Sequence, residues 1–63
     1  MPELMKTEIK NRSWLNFQIA NLNSWLRRHD KSHPDYILRQ HSRNYYVRRL
    51  IELEENNLEN IAV

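Results

Sequence analysis

Cysteine and glycine are both missing from the 63 residues, and proline stands only at positions 2 and 34. Without cysteine there can be no disulfide and no thiolate zinc site, and the chain fits a reducing, intracellular compartment. Without glycine there can be no Gly-rich phosphate loop. The tight turns of a small sheet protein also lose their usual residue. Long helices with one break at Pro34 are what remains. No apolar run approaches the ~20 residues that span a bilayer. The segment 1–10 carries Glu3, Lys6, Glu8 and Lys10 in place of a signal-peptide core. These features predict one cytoplasmic domain. A chain this short buries a small fraction of its surface and needs very good helix packing or a partner chain.

Charge is uneven along the sequence. Arg27, Arg28, Lys31, Arg39, Arg43, Arg48 and Arg49 face only Asp30 and Asp35 in their stretch, whereas Glu52, Glu54, Glu55 and Glu59 follow with no cation. Such asymmetry points to a charged partner or a complementary second copy.

Hydrophobic spacing supplies the fold. Trp14, Leu15, Ile19, Leu22, Trp25 and Leu26 fall on one arc of roughly 140° at helical pitch. Within it, Leu15, Ile19, Leu22 and Leu26 keep a heptad spacing. Phe17 lies off the arc, either as a flank-packed aromatic or as a contact for another chain. Thr7 is a candidate N-cap, and Glu8 with Arg12 a candidate i, i+4 pair. The predicted elements are a helix over about 7–29, a joint at 30–34 and a helix over about 35–59.

Pro34 disfavours helical geometry at His33 and suits the first turn of the next helix. Ser32 and Asp35 have the spacing of a capping box. In the second helix Tyr46, Leu50 and Leu53 form one row. Val47, Ile51 and Leu58 form another, with Tyr36 and Ile61 in phase and Glu54 within the arc. Leu38 and Tyr45 lie on the far side, so this helix has more apolar surface than one neighbour can cover. The expected fold is all-α, two antiparallel helices joined as a hairpin. A homodimer, with a four-helix bundle as its form, would use Trp14, Leu15, Ile19, Leu22, Trp25, Leu26, Val47, Leu50 and Ile51 as core and interface; a hetero-complex is the alternative.

Chemistry-bearing patterns are few. Arg39, Arg43, Tyr45, Arg48 and Arg49 form a basic and aromatic run that could meet a protein partner or nucleic acid. Helical projection splits its arginines between two sides. The plainer reading is a solvated helix, with Arg48 paired to Glu52 and Arg43 to acids of a second subunit. His29 and His33 have metal-ligand spacing, but the spacing crosses the helix end and Pro34, which should separate them. His29 would then serve as a C-terminal cap, and His41 would be near neither. Ser13, Ser24, Ser32 and Ser42 have no His–acid pairing in the sequence. The reading is therefore no enzyme, no metal, no cofactor, no small-molecule ligand and no membrane association, with Trp14 and Trp25 in the core.

The stretch NRSWLNFQIANLNSWLRRHDKSHPDYILRQHSRNYYVRRLIELEENN, in its helix–HP–helix layout, resembles the short early proteins encoded in the exo–xis region of lambdoid bacteriophages. That resemblance implies a non-enzymatic accessory protein acting in the host cytoplasm on host physiology or on the balance of lysis and lysogeny. It implies no particular site residues.

Overall fold

The computed structural model describes residues 8–63. Two antiparallel helices, α1 (Arg12–Arg28) and α2 (Tyr36–Glu55), form the expected hairpin. Two short strands, β1 (Ile9–Asn11) and β2 (Asn60–Ala62), pair across its open end.

The strands correct both outer helix boundaries. The first helix does not begin near residue 7 (Thr7 lies outside the described residues). Asn11 caps it instead, its Oδ1 accepting the Trp14 N–H at 2.9 Å, as short polar side chains do at helix starts. Glu8 and Arg12 consequently form no helical pair. Glu8 pairs with Lys10 at 3.6 Å, and Arg12 reaches across to Glu54 at 3.7 Å. The apolar stripe stops at Trp14, so nothing upstream would have held a further helical turn against α2.

At the other end α2 stops at Glu55, four residues before the expected 59. Asn57 takes a left-handed backbone, φ 54°. The Leu58 N–H bonds to the Leu53 carbonyl at 2.9 Å and the Asn57 N–H to that of Glu54 at 3.3 Å. This is a Schellman closure with asparagine, the best non-glycine residue for that conformation, at its turn. Asn57→Val should lower stability by about 1–2 kcal/mol, the cost of a β-branched residue in the left-handed region. Asn57→Gly should not, and urea melts of both variants check this.

Beyond the turn the chain runs back to β1. Ile9 pairs with Ala62, Lys10 with Ile61 and Asn11 with Asn60. The Val63 N–H bonds to the Glu8 carbonyl at 2.9 Å. A two-stranded ribbon is marginal by itself, and this one is anchored by Ile61. That side chain is buried against Leu15 and Leu53, with Trp14, Tyr46, Leu50 and Val63 packed around them. Ile61 is thus a strand residue of the core and not a continuation of the α2 row, and Leu58 lies past the helix end.

The connection spans 29–35. His29 is the C-cap of α1 in extended geometry, and Arg27 and Arg28 fill the last turn, where cations suit the helix dipole. The capping box is replaced by other bonds. Ser32 Oγ donates to Asp30 Oδ2 at 3.1 Å, and the Asp35 N–H donates to His33 Nδ1 at 3.0 Å. An Nδ1 that accepts leaves the His33 ring proton on Nε2.

Along the helix seam Leu15, Leu22 and Leu26 of α1 and Leu53 of α2 are buried; Ile19, Val47 and Leu50 are half-buried, and Ile51 is exposed. The molecule measures 14 Å along its shortest axis, little more than one helix with its side chains. It is a single layer, and both broad faces lack a covering element among the described residues. Phe17, Ile37 and Leu38 are each more than 60% exposed, and Tyr45 and Ile51 are 47% exposed.

Candidate functional site

Pattern and contacts divide the layer into two faces. Gln18, Asn21, Trp25 and Arg28 of α1 share one flank with Leu38, Arg39, Ser42 and Tyr46 of α2, and a groove runs between the helices there. Helical pitch sets Ile19, Ile37, Val47 and Ile51 toward the opposite face.

The five residues of the expected basic and aromatic surface do not act together. Arg43 crosses between helices, its Nη1 donating to Asn23 Oδ1 at 2.7 Å and its Nε to Asn44 Oδ1 at 2.8 Å. It is therefore engaged within the hairpin, on two neutral amide oxygens. Arg49 ties β2 to α2, donating from Nε to the Ala62 carbonyl at 3.1 Å and from Nη1 to Glu52 Oε1 at 2.7 Å. Glu52 is thus taken by Arg49 and not by Arg48, whose exposed side chain extends from the other flank. Tyr45 is half exposed and meets Tyr46 edge-on at 5.6 Å. Arg39 lies over the Trp25 ring, 5.0 Å from its centroid.

Trp25 is the centre of a cluster at the joint end. His29 stacks on it at 4.0 Å and 13°, with Nδ1 2.8 Å from the Trp25 carbonyl oxygen. His33 meets it edge-on at 5.0 Å, and Tyr36 stands 6.3 Å away. The two imidazoles are 5.1 Å apart. The break at Pro34 therefore brings them together, contrary to the expectation that it would separate them, because the turn after Asp30 folds back over Trp25. Their Nδ1 atoms are occupied by backbone partners, which makes them structural. No three potential metal-ligating side chains converge among the described residues.

At the open end Trp14 mirrors this arrangement. It packs edge-on to Tyr46 at 5.5 Å, with the Lys10 ammonium 5.1 Å from its ring. Both tryptophans are part-buried.

Arg28 is the groove residue that the basic run in the second helix conceals. It stands three residues after Trp25, on the same flank, and that spacing is its signal in the sequence. Together with Arg39 it lines a cavity of about 420 Å³ between the helices, and Arg39 also borders an adjoining one of about 310 Å³ beside Leu38 and Asp35. The arrangement can bind, through two guanidinium groups over an apolar floor; it offers no nucleophile paired with a base. No described helix is long and apolar enough to cross a membrane. A scan against protein-family models gives no match, and neither curated proteins nor solved structures show a significant similarity to the chain.

Proposed function

We propose that the chain is a non-enzymatic interaction protein. It self-associates through one face of the hairpin and presents the groove on the other face to a macromolecular partner, foremost a protein. The observation that carries this reading is the single helical layer with large apolar side chains uncovered on both faces. Leu15, Leu22 and Leu26 are consumed inside the hairpin. The self-contact then falls to Ile19, Ile37, Val47 and Ile51, a face that a second copy can cover to complete a four-helix arrangement. As an accessory protein of the phage type that the sequence resembles, it would act in the host cytoplasm on a host factor.

A nucleic-acid partner is favoured by a different observation, the two arginines, Arg28 and Arg39, that line the groove without a carboxylate between them. That reading requires affinity to fall steeply with salt as counterions are released.

Light scattering over a concentration series tests the self-association. The wild-type chain should give a dimer mass and Ile51→Asp a monomer mass at unchanged helicity, because Ile51 is exposed and its replacement leaves the core intact. A wild-type monomer at every concentration would sink the reading. Leu22→Asp cannot serve, since Leu22 is buried in the hairpin and its loss unfolds the monomer.

A further inference from the structure

We infer that the wider groove cavity, between Arg28 and Arg39, is a binding site for a phosphate group. Its polar lining is Gln18, Asn21, Ser24, Arg28 and Arg39, over a floor of Leu22 and Trp25, with no carboxylate. Every polar side chain there can donate a hydrogen bond. Arg28 of α1 and Arg39 of α2 both line it, one cation from each helix.

Their free donors, which Arg27 and Arg48 share, and their place in the groove, which those two lack, together set them apart. Arg12, Arg43 and Arg49 are engaged with Glu54, Asn23 and Glu52. Neither Arg28 nor Arg39 makes a hydrogen bond or salt bridge to a described side chain. Arg39 is nevertheless held in place, because its guanidinium rests on Trp25, itself backed by the His29 stack. A positioned cation with unspent donors is what oxyanion recognition needs.

The geometry also selects among anions. One arginine fork satisfies a carboxylate, which has two oxygens. Two guanidinium groups lining one cavity suit a tetrahedral group with three or more. Asp35 borders the adjoining cavity together with Arg39. It opposes anion binding, so its neutralisation should strengthen the site.

The phosphate could belong to a nucleic-acid strand or to a free phosphorylated molecule, and the cavity alone fits both. The site lies opposite the face proposed for self-association, so its test is independent of the dimer; it rests on the groove as the partner surface and changes the occupant there from a protein to a phosphate-bearing molecule.

The full chain, labelled for detection of arginine Nε–H groups by NMR, is titrated with inorganic phosphate at constant ionic strength maintained with chloride. Saturable shifts are expected at Arg28, Arg39 and the Gln18 amide, with Arg27 and Arg48 unmoved. Arg39→Gln should weaken phosphate binding roughly tenfold or more, Asp35→Asn should strengthen it, and Arg48→Gln should leave it unchanged, all at wild-type helicity. A second titration compares a mononucleotide with a single-stranded oligonucleotide. Tighter, salt-sensitive binding of the oligonucleotide assigns the phosphate to a strand; equal binding assigns it to a small molecule. Absence of shifts, equal shifts at all four arginines, or an Arg39→Gln variant that binds as well as wild type would overturn the site.

Discussion

Leu15→Ala is expected to remove a large share of the chain's stability. Leu15 is fully buried and sits where the three parts of the core meet: α1 itself, Leu53 of α2 and Ile61 of β2. Truncating a buried leucine costs about 2–5 kcal/mol, the upper values applying where the surroundings cannot collapse into the cavity. Here α2 is fixed by its seam and β2 by the ribbon, so collapse is restricted. A domain of this length has a total stability of roughly 3–9 kcal/mol, and one mutation therefore removes a large share of it. Far-UV circular dichroism against urea reads the effect. Leu53→Ala should produce a similar loss, and the double variant should lose less than the sum, because both side chains line the same space. Wild-type stability in Leu15→Ala would mean that the core is elsewhere.

Ile61→Asp should open one end of the molecule and spare the other. The substitution removes an apolar contact worth about 1.5–3 kcal/mol. It also sets a carboxylate between Leu15 and Leu53, where desolvation makes its charge costly. The strands have little else to hold them; beyond their ladder bonds stand the Arg49 contact to the Ala62 carbonyl and the Val63 bond to Glu8. Hydrogen exchange should show amide protection lost at the paired strand positions and reduced in the first turn of α1. The joint end, held by Leu22, Leu26 and the Trp25 cluster, should keep more of its protection. Uniform loss across both helices would show instead that the hairpin cannot stand without its ribbon.

These two predictions differ in how far they could be read from the sequence. The Leu15, Leu22, Leu26 stripe is explicit in its spacing, and so is the break at Pro34, because helix periodicity and proline sterics are local. The ribbon is not local. Three-residue strands carry too short an alternation to register, and their partner lies at the opposite end of the chain. The reading of α2 to 59 passed over Asn57, whose type suits a left-handed turn, because Ile61 stays in phase with the helical row.

Site residues follow the same division. Helical projection separates Arg39 and Arg43 from Arg48 and Arg49, so no single basic stripe was expected. Which of them are spent depended on Asn23 and on the Ala62 carbonyl, contacts that no spacing encodes. The clustering of His29, His33 and Arg39 on Trp25 was hidden for another reason. It depends on the path of the turn between Asp30 and Asp35, where single backbone torsions redirect the chain.

The pairing of β1 with β2 also bears on the order in which the molecule assembles. Contacts within α1, within α2 and across the short joint enclose little chain and can form early. Joining Lys10 to Ile61 encloses about fifty residues, so its loop-closure entropy is the largest in the fold unless the helices have already docked. The ribbon should therefore close last and come apart first. It acts as a latch whose opening exposes the Leu15–Leu53 core from one side, and its closing rate, more than helix formation, should set the pace of the final folding step.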